Sequence, residues 1–67
     1  MAVARVTEII GSSSKSFDDA IKAAHGRAAK TLRGLTGMEV LRQSVKIENN
    51  KISEYRVHLN VTFIMED

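Results

Sequence analysis

Sixty-seven residues without cysteine or proline make one small domain at most, with neither a disulfide framework nor a thiolate metal site. Ten basic against eight acidic residues leave a formal charge of only +2, and three aromatics (two Phe, one Tyr) cannot build a stacking platform, which argues against a nucleic-acid partner. No apolar run is long enough to cross a bilayer and no leader pattern opens the chain, so no membrane partner and a soluble cytoplasmic protein are expected.

Residues 1–67 are read as a single domain, and a domain of this size has little stability of its own. Folding a chain of this mass buries roughly 6,500 Å². If about 60% of that is apolar, burial contributes roughly 100 kcal/mol at about 25 cal/mol per Å². Ordering the chain at about 1.5 kcal/mol per residue costs roughly the same. With no disulfide to close the gap, association with further copies is the remaining source of stability.

Val3 to Ile10 is rich in β-branched residues and predicts a first strand. Gly11-Ser12-Ser13-Ser14-Lys15-Ser16 follows as a polar turn able to cap a helix. Ser16 with Asp19 three residues on resembles a capping box with a shortened acid, and Ser14 is equally well placed. Phe17, Ile21, Ala24, Ala28, Leu32 and Leu35 recur at alternating steps of four and three, one apolar stripe on a helix of about five turns. Asp18 and Asp19 suit its positive end and Lys30 and Arg33 its negative end, with Gly34 and Gly37 both available to stop it.

Met38 to Ile47 predicts a second strand, and Glu48-Asn49-Asn50-Lys51 a hairpin turn, because Asn tolerates positive φ. In the third strand Tyr55, Val57, Leu59, Val61, Phe63 and Met65 alternate with Glu54, Arg56, His58, Asn60 and Thr62. One helix covers one face of such a sheet. Strand two nevertheless sets Met38 and Val40 against Leu41, Val45 and Ile47, and strand one sets Val3 and Ile9 against Val6 and Ile10. Some of this two-sided apolar surface is expected to meet other copies of the chain.

The order and the residues together resemble the dodecin family. The resemblance covers essentially the whole chain: Val6-Thr7-Glu8-Ile9-Ile10-Gly11-Ser12-Ser13, Ala28-Ala29-Lys30-Thr31-Leu32-Arg33, Glu39-Val40, Glu54-Tyr55-Arg56-Val57 and Val61-Thr62-Phe63. It implies an α+β fold, β-α-β-β, with a three-stranded antiparallel sheet wrapped around one long helix and subunits assembled into a hollow homododecamer. It also implies flavin binding (FMN or riboflavin) between subunits, with a tryptophan opening strand two to stack on the isoalloxazine and a glutamine on strand three to bond its edge. Those two positions fall on Gly37 and Arg56. Glycine supplies no stacking, worth about 1–3 kcal/mol per face by analogy with bases. A guanidinium, being donor only, cannot reproduce the paired donor and acceptor of an amide.

The ligand position implied by the resemblance therefore comprises Gly37, Met38, Glu39, Gln43 and Arg56, with Met38 able to fill part of the missing ring's space. Arg56 suits an anion between subunits; the more ordinary role is an ion pair with Glu39 or Glu54 of another subunit. The Gly11–Ser16 turn could hold an anion or, with Asp18 and Asp19, a calcium ion, as some dodecin-like proteins without the tryptophan are thought to do; simple helix capping competes. His25 and His58 could form a metal site only through symmetry. No nucleophile, base and orienter come together in sequence, so the chain is read as a ligand-storing binder rather than an enzyme. The alternatives are a purely structural shell or an ion-binding dodecin.

Overall fold

The computed structural model describes residues 3–65. The chain runs β1 (Val3–Ser13), α1 (Phe17–Thr31), β2 (Leu35–Glu48) and β3 (Lys51–Met65). The strands form one antiparallel sheet with β3 in the centre, in the order β1-β3-β2. This is the β-α-β-β, α+β architecture that the sequence predicts. Among the described residues no helix is long and apolar enough to cross a membrane.

Three boundaries differ from the sequence reading. β1 continues past Ile10 through Gly11, Ser12 and Ser13, which pair with Val57, Arg56 and Tyr55. The polar segment is therefore half strand, and the turn shrinks to Ser14–Ser16. Gly11 is required there because the helix crosses at its Cα: a Cβ would sit 2.5 Å from the Ala20 carbonyl oxygen and 2.9 Å from the Ala24 Cβ. At the helix N-terminus Ser16, not Ser14, is the cap, its Oγ accepting from the Asp19 N–H at 3.0 Å.

The helix ends at Thr31 rather than running on through Leu35. Leu32 is already extended (φ −117°, ψ 145°), although its N–H still bonds the Ala28 carbonyl at 2.8 Å. Gly34 then turns the chain at φ 71°, and its carbonyl accepts from the Ile64 N–H at 2.9 Å, which draws Leu35 onto β3. Gly37 does not stop the helix. It lies inside β2, opposite Thr62. The β2–β3 hairpin closes as expected, with Asn49 and Asn50 both left-handed at φ 51° and 63°.

The core forms where the helix meets β1 and β3. Val57, Leu59 and Val61 of the central strand are fully buried with Ala20, and Ala24 and Ala28 nearly so. Ile9, Phe17, Ile21 and Met38 pack around the Ala20–Ala24–Val57–Leu59 cluster. Phe17 stands edge-on to Tyr55 with ring centroids 5.1 Å apart, fixing the start of the helix to β3. Small alanines let the backbones approach, and each buried Val or Leu contributes about 1.5–3 kcal/mol.

The face assignment of β2 needs one correction. The pairing shifts between Val40 and Arg42, so Leu41 is an extra residue that resets the alternation. Beyond it Gln43 pairs with Val57 and Val45 with Tyr55, which puts Val45 on the same, helix-facing side as Met38 and Val40.

The chain alone is too extended for its mass. Its accessible surface is 5111 Å², against about 4,200 Å² for a compact monomer of this size. Its radius of gyration is 13.8 Å, against about 11 Å. Val6, Ile10, Val40, Leu41, Val45, Ile47 and Ile52 remain exposed. Replacing Gly11 with Ala is expected to destabilise the fold by about 1–3 kcal/mol through the clash with Ala20, as measured by denaturant unfolding at fixed protein concentration.

Candidate ligand face

The face of the sheet turned away from the helix is open, and the strand register sets its side chains in rows across β1, β3 and β2. Val6, Thr62 and Gly37 form one row; Glu8, Asn60 and Glu39 the next; then Ile10, His58 and Arg42; then Ser12, Arg56 and Ser44. Lys46 stands opposite Glu54 beyond them. Gly37, Glu39 and Arg56 therefore share this outer face. Met38 and Gln43 belong to the helix-facing side, opposite Val61 and Val57.

Sharing a face does not bring Gly37 and Arg56 together. Arg56 lies six residues along β3 from Thr62, the partner of Gly37, a distance of about 20 Å. A ligand ring system the size of an isoalloxazine cannot touch both in one chain. The space beside Gly37 is open, since a Cβ built there meets nothing within 4 Å. Met38 packs against the core instead of filling that space. Gly37 and Met38 do meet at the β2 edge, where with Leu35, Thr36 and His25 of α1 they line a groove of about 340 Å³. The place of His25 in this groove was not legible in the sequence, because only the tertiary fold sets it beside β2.

Arg56 has found its carboxylate within the chain. Its Nε donates to Glu54 Oε1 at 2.8 Å, two residues back on the same strand face. The Glu-x-Arg spacing of a strand was the available signal for this pairing. The hydrogen bond from Arg56 holds the Glu54 carboxyl below its ordinary value of 4.5. Partial desolvation opposes the shift, while the charges of Arg56 and Lys46 and the Ser12 hydroxyl add to it. Two rows from Arg56, Glu8 Oε2 lies 3.9 Å from both Arg42 Nη2 and His58 Nδ1 of the row between. His58 Nδ1 is buried without a hydrogen-bond partner.

The other candidates disperse. Ser13 Oγ donates to Asp19 Oδ2 at 2.7 Å and accepts from the Lys15 N–H at 2.9 Å, so the turn's groups serve the helix start. His25 and His58 lie on opposite sides of the sheet. Among the described residues no three His, Asp or Glu side chains gather as a metal site would require.

The dodecin family model matches residues 3–66. The chain belongs to the dodecin family. The dodecin of Thermus thermophilus is 38% identical over 65 residues, covering 97% of this chain and 94% of that one. The dodecin structure from Streptomyces coelicolor superposes with a TM-score of 0.96 at 35% identity, covering 98% of this chain and 94% of that one. A calcium dodecin from Mycobacterium tuberculosis, described as a calcium-chelating antigen with a calcium-binding site of its own, superposes with a TM-score of 0.85 at 32% identity. That match covers 96% of this chain and 91% of that one.

The lowered Glu54 value gives this dodecin an acid-sensitive contact with a defined sign. A carboxyl whose folded value lies below its unfolded one contributes stability that is fully present above the ordinary 4.5 and is lost as pH falls through the lowered folded value. Thermal melting followed from neutral pH to well below 4.5 is expected to fall less steeply in Glu54→Gln than in the parent at the acid end.

Proposed function

We propose that this dodecin is a small-ligand binding and storage protein that assembles as a hollow homododecamer and holds its ligand between subunits. The reading uses Gly37, Met38 and Glu39 from one copy and Arg56 from another, with Gln43 at the margin of the same β2 edge. The observation that carries it is the separation of Gly37 from Arg56. Two positions that the family resemblance assigns to one ligand lie too far apart in a single chain, so only a second copy can complete the site. The exposed apolar residues Val6 and Ile10 of the outer face supply surface for that contact.

The ligand mode departs from ring stacking by the protein. Gly37 presents bare backbone, and Arg56 presents a guanidinium already bonded to Glu54 where an amide is expected. We read the protein as a binder rather than an enzyme, because the serines of the outer face flank a guanidinium and not a histidine. A second reading, a purely structural shell, is favoured by the apolar excess, which demands association whether or not an organic ligand is present; the calcium-holding alternative rests on family resemblance alone.

Native mass spectrometry of the protein as purified from cells tests the choice. The expected result is a mass of twelve chains with a defined organic adduct. Bare twelve-mers favour the structural shell, a calcium-mass adduct favours the ion-binding form, and a monomer overturns the assembly itself.

Restoring the ring is the complementary test. Gly37→Trp has open space to enter and is expected to strengthen riboflavin binding by about 1–3 kcal/mol, read as deeper quenching of riboflavin fluorescence than in the parent. Unchanged quenching by an intact Gly37→Trp assembly would mean that this position no longer faces the ligand.

A further inference from the structure

We propose that the Ser12–Arg56–Ser44 row is a carboxylate subsite, so that the ligand of this dodecin is a small molecule carrying a carboxylate group. The inference rests on the reading of the outer face as the ligand-holding one, and it names the chemistry that this face selects.

A guanidinium has five N–H donors, and in Arg56 the Nε–H is spent on Glu54 at 2.8 Å. Among the described residues no other hydrogen bond engages the group, and the side chain is 43% exposed. What remains available is the pair of terminal Nη amino groups. Their two outward N–H bonds run parallel and match the two oxygens of a carboxylate. Glu54 is a positioning residue in this arrangement: it fixes the plane of the guanidinium, and with it the direction in which the free edge points.

The neighbours suit the same occupant. Ser12 of β1 and Ser44 of β2 both stand directly opposite Arg56, one on either side. Both are short, so they leave room above the row; the Ser12 hydroxyl helps hold Glu54, and the Ser44 hydroxyl is able to donate to an oxygen on its flank. Lys46, opposite Glu54, offsets the negative charge that would otherwise repel an arriving anion.

The charge balance separates carboxylate from phosphate. Arg56 is shared with Glu54, Arg42 faces Glu8 at 3.9 Å, and Lys46 faces Glu48 at 3.3 Å. The face carries no surplus of positive charge to hold a dianion. Its selectivity comes from directed donors, which a planar monoanion satisfies.

Three probes distinguish the possibilities: benzoate, its neutral isostere benzamide, and inorganic phosphate. Each is titrated into the assembled protein by calorimetry, with the Arg56 Nε–H resonance followed by NMR. The expected result is benzoate binding that shifts this resonance, weaker phosphate binding and none by benzamide. Arg56→Lys, which keeps the charge and loses the parallel pair, is expected to weaken benzoate roughly tenfold, the cost of about one charge-assisted hydrogen bond. Ser44→Ala gives a smaller loss, while the mass of the assembly stays the same.

Equal binding of benzamide, indifference to Arg56→Lys and Ser44→Ala alike, or phosphate binding tighter than benzoate would each overturn the proposal. An intact assembly that ignores benzoate refutes the carboxylate subsite alone. Loss of the assembly in the unsubstituted protein refutes the reading beneath it.

Discussion

A helix of 15 residues is about 22 Å long, whereas the molecule it must cover extends 51 Å. The rest of the structure depends on this mismatch. The helix reaches Ala20, Ala24 and Ala28 down onto β1 and the middle of β3, and there the packing is tight enough to forbid a side chain at Gly11. Beyond that patch the sheet has no cover of its own. Its ends and most of β2 carry apolar side chains into the open, where only another molecule can bury them.

The same mismatch explains which parts of the fold were legible in the sequence. Elements fixed by local chemistry were read correctly: the paired asparagines of the hairpin and the alternation of β3 that buries Val57, Leu59 and Val61, with the helix cap narrowed to Ser14 or Ser16. Elements fixed by tertiary competition were not. Leu32 and Leu35 continue the helical period faithfully, yet the ladder to β3 claims Leu35 once Gly34 has turned the chain. Ser12 and Ser13 look like turn residues but have strand partners in Arg56 and Tyr55. The bulge at Leu41 leaves no mark in composition, so strict alternation sends Val45 to the wrong face.

For the site, the sequence supplied residue types and the register supplied their relations. The substitutions at Gly37 and Arg56 were visible by resemblance, and so was the chemical change they bring. That these positions stand about 20 Å apart on one face became evident only when Gly37 paired with Thr62. Glu54 was recognised as a partner for Arg56 but assigned to another copy. The two-residue spacing on a single strand makes the nearer pairing available without any ordering across an interface. Ser12, Ser44 and His25 acquire meaning only from neighbours distant in sequence.

The two pairings of β3 also differ in how far apart in the chain their members lie. β2 folds back on β3 through two asparagines, a local contact that closes early. β1 must cross the helix to reach the same strand, matching Val3 with Met65 at nearly the full length of the chain. Loop closure of that span is the slower step in forming the subunit. Until it happens, one edge of β3 stands unpaired beside Val57 and Leu59. An incoming β1 from a second molecule fits that edge as well as the chain's own, so rapid folding at high concentration favours exchange of first strands between copies.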